Sequence, residues 1–249
     1  AILNISNPSN AQSLGYINNT DSYILENLDA KNNLLAVAAH EDGVLLYDIS
    51  NPSNPKLLSI LDSANAWTVH IGDNHIYVGD ESNLLIFDIF GTSFSLLHSI
   101  DLGNAIKDIT SDENFLYVAL GSDGVKIFRL VQNSIPEFLD RYDTSALANR
   151  LSPFNNKVAV SDWDDVEILE YNGKQLELVG FKNTTRRTMG IATKNNFIYS
   201  AEWASVQVFE YGQVNGSDID LSTYELNYPL VENSESHTLS IVVTNNGNQ

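Results

Sequence analysis

The run VLLYDI at residues 44–49 returns as LLIFDI at 84–89, VKIFRL at 125–130, VEILEY at 166–171 and VQVFEY at 206–211. A sixth copy, AILNIS, opens the chain. The positions aligned with Asp48 are Asn4, Asp88, Arg129, Glu170 and Glu210, so successive copies stand 44, 40, 41, 41 and 40 residues apart. Each copy reads as a short strand, because apolar residues hold Val44, Leu46 and their equivalents while Leu45 gives way to Lys126, Glu167 and Gln207. Alternation with period two puts successive side chains on opposite sheet faces, and it predicts one packed face and one that can be wet.

A second apolar strand lies upstream of each copy: LLAVAA, HIYVGD, FLYVAL, KVAVSD and FIYSAE, with Ala36, Tyr77, Tyr117, Ala159 and Tyr199 in one column. Three and four residues before that column stand pairs rich in Asn and Asp, namely 32–33, 73–74, 113–114, 155–156 and 195–196. Asn and Asp tolerate positive φ, which tight hairpins of the primed type require, so five hairpins are placed at once. Leu28, Val69, Ile109, Leu151 and Ile191 mark a further strand before each hairpin, and turn-rich stretches such as SNPSNP lead to a fourth. Four strands, a to d, in about forty residues make one blade of a β-propeller. No long amphipathic helix pattern competes with this all-β reading, and radial stacking of blades is an economical way to bury such faces.

With 249 residues, 43% of them hydrophobic, the chain can bury a core without staples. It carries 32 acidic and 13 basic residues for a net charge of -19, which repels phosphate backbones and anionic headgroups and argues against nucleic acid as a partner. There is no cysteine, hence no disulfide, thiolate metal site or cysteine nucleophile. No apolar run approaches the eighteen residues of a membrane span. The chain opens inside a repeat, and we expect it to be part of a larger multidomain protein.

The run LLYDISNPSNP, the wording ILNISNPSN in the opening copy and the YVGD and YVAL strands resemble the LVIVD-repeat family of bacterial and archaeal surface proteins. The resemblance covers about residues 1 to 213, is best in the blade ending at Pro55, and departs from the family pattern at Arg129 and Glu170. It implies a secreted, extracellular or cell-envelope propeller with no established reaction, and it supplies no catalytic residue. We expect the propeller over residues 1–216. The opening half-repeat either completes a sixth blade with upstream residues or closes a five-bladed ring; six blades are favoured, with five or seven left open. Residues 217–249 change character, with Leu239, Ile241 and Val243 alternating against Thr238, Ser240, Val242 and Thr244. That segment resembles the start of an immunoglobulin-like domain, with a polar turn at 232–236, or it forms edge strands on the propeller.

If the Asn-rich hairpins lie at one end of the blades, the b-to-c loops and the entries to strand a share the other end, around the channel, where ligands are sought. The b-to-c loops read HEDG, DESN, GSDG, DWDD and EWAS, and put Asp80, Asp162 and Glu202 in one column. Trp163 and Trp203 stand beside that column, and the entries add Trp67, Lys107, Arg150, Arg186 and Arg187. Acids, arginines and tryptophans together suit a polar protein or carbohydrate ligand. An acid at a strand end ordinarily caps its own turn, and a salt bridge is the ordinary reading of Arg186 and Arg187. DWDD supplies hard oxygens that would suit calcium, but four residues fix too few donors. We therefore expect no cofactor, with calcium the alternative. His40, His70, His75, His98 and His237 show no metal or triad spacing along the chain. The expected function is a non-catalytic extracellular binding or scaffold propeller; the alternative is a propeller hydrolase or lyase with a divalent ion at the channel carboxylates.

Overall fold

The computed structural model describes residues 1–17, 23–132 and 134–212, with short strands at 214–215, 219–221, 243–245 and 247–248. Two compact units divide the chain, Ala1–Asn149 and Arg150–Gln249. Among the described residues there is no α-helix.

The opening half-repeat is a hairpin of β1 (Ile2–Asn4) and β2 (Gln12–Gly15), forming a two-stranded sheet of its own. The first full blade is β3 (Asn27–Lys31), β4 (Leu34–Ala38), β5 (Val44–Asp48) and β6 (Lys56–Leu61), antiparallel in that order. The second is β7 (Ala66–Ile71), β8 (His75–Asp80), β9 (Asn83–Phe90) and β10 (Ser93–Asp101). The third is β11 (Asp108–Ser111), β12 (Phe115–Ala119), β13 (Val125–Arg129) and β14 (Glu137–Tyr142). Register repeats with the sequence columns: Ala36 pairs with Leu46, Tyr77 with Ile86 and Tyr117 with Ile127. In the second unit a five-stranded sheet runs β15 (Ala148–Phe154), β16 (Lys157–Tyr171), β17 (Leu176–Lys194), β18 (Phe197–Glu202) and β19 (Val206–Glu210). Strands b and c of the fourth repeat both fall in β16, and β17 runs from strand d of that repeat into strand a of the next. The fourth and fifth repeats thus share one sheet instead of forming two, because no break interrupts β17.

Positive φ appears in the a-to-b turns at Asn32, Asn155, Asn156 and Asn195. The turn after β11 is closed differently: the Asp112 carboxylate accepts the N–H groups of Asn114 and Phe115, both at 2.8 Å, and the Tyr117 hydroxyl at 2.9 Å. The SNPSNP wording also has a structural reason. Asn4 and Asp48 each accept the backbone N–H two residues on, and Asn7 and Asn51 repeat the device three residues later. These Asx turns end the strand without an unpaired donor.

Neighbouring blades pack face to face. Ala36, Ala38, Val44 and Leu46 of the first share a core with Ile76, Val78, Leu85 and Phe87 of the second. Tyr77, Leu84 and Ile86 meet Ile109, Leu116, Val118 and Phe128 in the same way, and Ala159, Val166 and Ile168 meet Ile198 in the second unit. The column expected to be open to water is covered at Leu45, Leu85 and Glu167, which are 3%, 8% and 2% exposed, and half-buried at Lys126 and Gln207. The second blade packs on the first and on the third, and Ile17 and Tyr23 pack against the Leu45 face of the first, so alternation there separates two covered faces instead of core from water. Exposure concentrates on the outer strands β6, β10 and β14.

Beyond residue 212 the described strands are β20 (Val214–Asn215), β21 (Ile219–Leu221), β22 (Val243–Asn245) and β23 (Gly247–Asn248). β21 pairs antiparallel with β22, and β20 parallel with β23. The turn expected at 232–236 and the alternation from Thr238 to Val242 lie outside the described residues.

Candidate functional site

Four of the five b-to-c turns are built on one plan. His40, Glu81, Gly121 and Trp163 each hold φ between 50° and 60°. A left-handed conformation costs a residue with a side chain roughly 1–2 kcal/mol, so it is least expected of a tryptophan. These turns meet the entries to strand a: His40 exchanges both backbone hydrogen bonds with Ala66, and Gly121 with Ala148. Trp203 N–H donates to the Arg187 carbonyl at 2.9 Å.

In the first unit Lys107 Nζ stands 5.2 Å from the centroid of the Trp67 ring, whose edge meets His40 at 5.3 Å. Asp80 is buried and works as a cap, its Oδ1 accepting from Ser63 Oγ at 3.0 Å and from the Asn65 N–H at 2.5 Å. In the second unit Glu202 accepts from Ser205 Oγ at 3.0 Å and from Gln207 Nε2. Asp162 behaves differently from its column mates: it lies with Asp165 and Glu167, one carboxylate oxygen of each within 4.8 Å of the others, all three buried. Glu167 comes from strand c, outside the DWDD run, and Asp164 of that run is exposed. Hard oxygens at that separation can take a cation or share protons, since like charges that close cannot all stay ionised when buried. Arg150 is half-buried at the start of the second unit.

The remaining predicted residues come together. Arg187 Cζ lies 4.4 Å from the Trp163 ring centroid, and Arg186, Arg187 and Trp203 line a surface pocket of about 390 Å³. Trp203 is 68% exposed.

Another polar arrangement was not singled out from the sequence. Where the first strands of neighbouring blades face each other, Asp29 Oδ2 is 2.9 Å from His70 Nδ1 and accepts the Ile71 N–H at 2.8 Å, while His70 Nε2 is 2.7 Å from Ser111 Oγ. In the second unit the equivalent tie is Ser152 Oγ to Thr193 Oγ1 at 2.8 Å. The signal was present: Asp29, His70 and Ser111 are 41 residues apart in turn, next to the column of Leu28, Val69 and Ile109. A period of one blade is invisible to a search for short motifs.

The LVIVD repeat matches residues 26–63 and 63–95. These two stretches match the LVIVD-repeat model, and they fold as blades of a β-propeller. The matched stretches cover the first blade and the second as far as the start of β10, and include the NPSNP turn on which the resemblance was strongest. No curated protein matches the chain in sequence. Solved structures show the same fold at low identity. The β-propeller domain of Cps50 (Swd1) from Myceliophteria thermophila superposes with a TM-score of 0.62 at 14% identity, over 73% of this chain and 68% of that one. A chain of the nidogen/laminin complex gives 0.61 at 13% identity, over 82% of this chain and 81% of that one. The computationally designed Ika8 protein gives 0.62 at 16% identity, over 75% of this chain, which spans 58% of the length of that one.

Proposed function

We propose that this LVIVD propeller is an extracellular or cell-surface interaction module whose b-to-c loops hold a protein or carbohydrate ligand by contact and not by chemistry. The observation that carries this reading is the group of Trp163, Arg186, Arg187 and Trp203. A tryptophan is held at positive φ under a guanidinium, beside a second, exposed tryptophan and a pocket two arginines line. Basic and aromatic groups gathered on a chain of net charge -19 favour a carboxylate-bearing ligand: the guanidinium fork matches a carboxylate, and indole faces stack on sugar or peptide planes. That one of the structurally similar chains was solved in a complex between two proteins agrees with the reading.

The test is titration of the protein with uronic-acid oligosaccharides and with acidic peptides, read by tryptophan fluorescence and calorimetry. Saturable binding that weakens tenfold or more in Trp203→Ala and in the Arg186→Ala, Arg187→Ala double variant is expected, since one lost charge-assisted contact is worth about 1.5–3 kcal/mol. Binding that both variants retain at native strength would contradict the assignment, as would no binding across both ligand sets.

A further inference from the structure

The trio at the a-to-b end of the first three blades has the order carboxylate, imidazole, hydroxyl. Burial would push the Asp29 carboxyl up, but hydrogen bonds from His70 and from the Ile71 and Ala30 N–H groups outweigh it and hold the group below the ordinary carboxylate range. Asp29 is therefore ionised at neutral pH. An ionised acceptor at Nδ1 keeps the proton on that nitrogen, which leaves Nε2 to accept from the Ser111 hydroxyl at 2.7 Å. The Tyr77 ring stacks on the imidazole, with centroids 6.3 Å apart and planes 14° apart, and further fixes its orientation. A positioned carboxylate, an oriented imidazole and a hydroxyl within its reach are the parts that make a serine nucleophilic.

Holding blades together does not require these groups. At the equivalent place in the second unit two neutral hydroxyls, Ser152 and Thr193, make the tie. The three residues also line an open surface pocket of about 370 Å³ whose rim carries Asp73, Asp112 and Glu113, with Lys31 paired to Asp73 at 2.6 Å. Ser111 is half-buried, so its oxygen borders a space that a small substrate can enter.

We propose that Ser111 is the nucleophile of an acyl-transfer site, with His70 its general base and Asp29 a positioning residue, and that the pocket takes small carboxylic esters that are neutral or cationic. The acidic rim disfavours anionic esters. Ser111 Oγ bonds to the acyl carbon as His70 Nε2 takes the hydroxyl proton; the carbon–oxygen bond to the alcohol then breaks and that alcohol leaves with the proton. Water next gives a proton to His70 and bonds to the acyl carbon, and the carboxylic acid departs as Ser111 recovers its proton. The site lies at the a-to-b end of the blades of the first unit, shares no residue with the group proposed to hold a ligand, and is tested independently of it.

The experiment is incubation of the full chain with a fluorophosphonate probe, followed by peptide mass spectrometry and by p-nitrophenyl acetate hydrolysis. The expected result is one adduct per chain on the peptide carrying Ser111, absent in Ser111→Ala, with ester hydrolysis at least a hundredfold slower in Ser111→Ala and His70→Gln. Asp29→Asn lowers kcat and leaves KM in place, which a merely structural role would not do. Should Ser111→Ala fail to fold, Ser111→Thr keeps the hydroxyl tie as Thr193 does, and its labelling falls at least tenfold. A native protein that gains no adduct under conditions that label a serine hydrolase control overturns the proposal, and so does labelling at native rate in either Ser111 variant.

Discussion

Gly43 and Gly124 stand at the same place in their blades, two repeats apart, and the backbone allows nothing larger at either. Their φ values are 78° and 70°, and a Cβ at Gly43 would overlap the Leu61 carbonyl oxygen, while one at Gly124 would overlap that of Tyr142. The overlap is with backbone of the fourth strand, which cannot swing aside as a side chain can. Gly91 also has positive φ, 63°, but a Cβ there meets nothing within 4 Å. Conformation alone costs roughly 1–2 kcal/mol, so Gly91→Ala is expected to lose about that much in a denaturant unfolding series. Gly43→Ala and Gly124→Ala are expected to lose well over 2 kcal/mol, because strain in the fourth strand adds to the backbone term. Equal losses at all three glycines would show that the fourth strand does not pass where Leu61 and Tyr142 place it. At this scale the sequence was readable in part. Asn32, Asn155 and Asn195 turn with positive φ as their residue type predicts, whereas Asp112 closes its turn through its side chain, a choice between two chemistries open to the same residue class.

Between elements, strand a of the first blade is tied to strand a of the second by the Asp29 carboxylate, which accepts from His70 and from the Ile71 N–H. Its pKa in the folded protein lies below the value of 3.8 taken for a free Asp. The unfolded chain therefore takes up this proton first as pH falls. The stabilisation is complete above that value, and acid removes it as pH drops through the lower folded pKa. Asp29→Asn is expected to cost about 1–3 kcal/mol at pH 7, and the difference from native is expected to shrink steadily below about pH 4 in urea melts. A constant difference from pH 7 to pH 3 would deny the carboxylate its charged role. This tie could not be read from local sequence, since its members belong to different repeats. Within the column read as able to be wet, Leu45 and Glu167 are buried while Lys126 and Gln207 are half-buried, because a single strand does not reveal what will cover its other face. The same holds for the trio of Asp162, Asp165 and Glu167, where the loop supplied two members by sequence and strand c the third only through the fold.

Among the described residues, three sheets of four strands repeat the order a, b, c, d with a period near forty residues and a sheet of five carries the last two repeats, and the column is buried at Ala36, Tyr77, Tyr117 and Ala159 but 38% exposed at Tyr199. The all-β propeller class was legible because the repeat, the hairpins and the alternation agree with one another. The continuity of β17 across two repeats was not, since the column spacing marks strands d and a without fixing what joins them; the residues between Lys182 and Gly190 carry no glycine or proline to break the strand. Native-state amide hydrogen exchange, followed by mass spectrometry along the full chain, tests whether each of the first three full repeats is one blade. Strands b and c are hydrogen-bonded on both sides, whereas strand d is an exposed edge whose outward amides have no sheet partner. The account predicts slow exchange over β4, β8 and β12 and over β5, β9 and β13, with fast exchange over β6, β10 and β14, the pattern recurring every forty residues or so. Fourth strands as protected as second strands, or protection without that period, would contradict it.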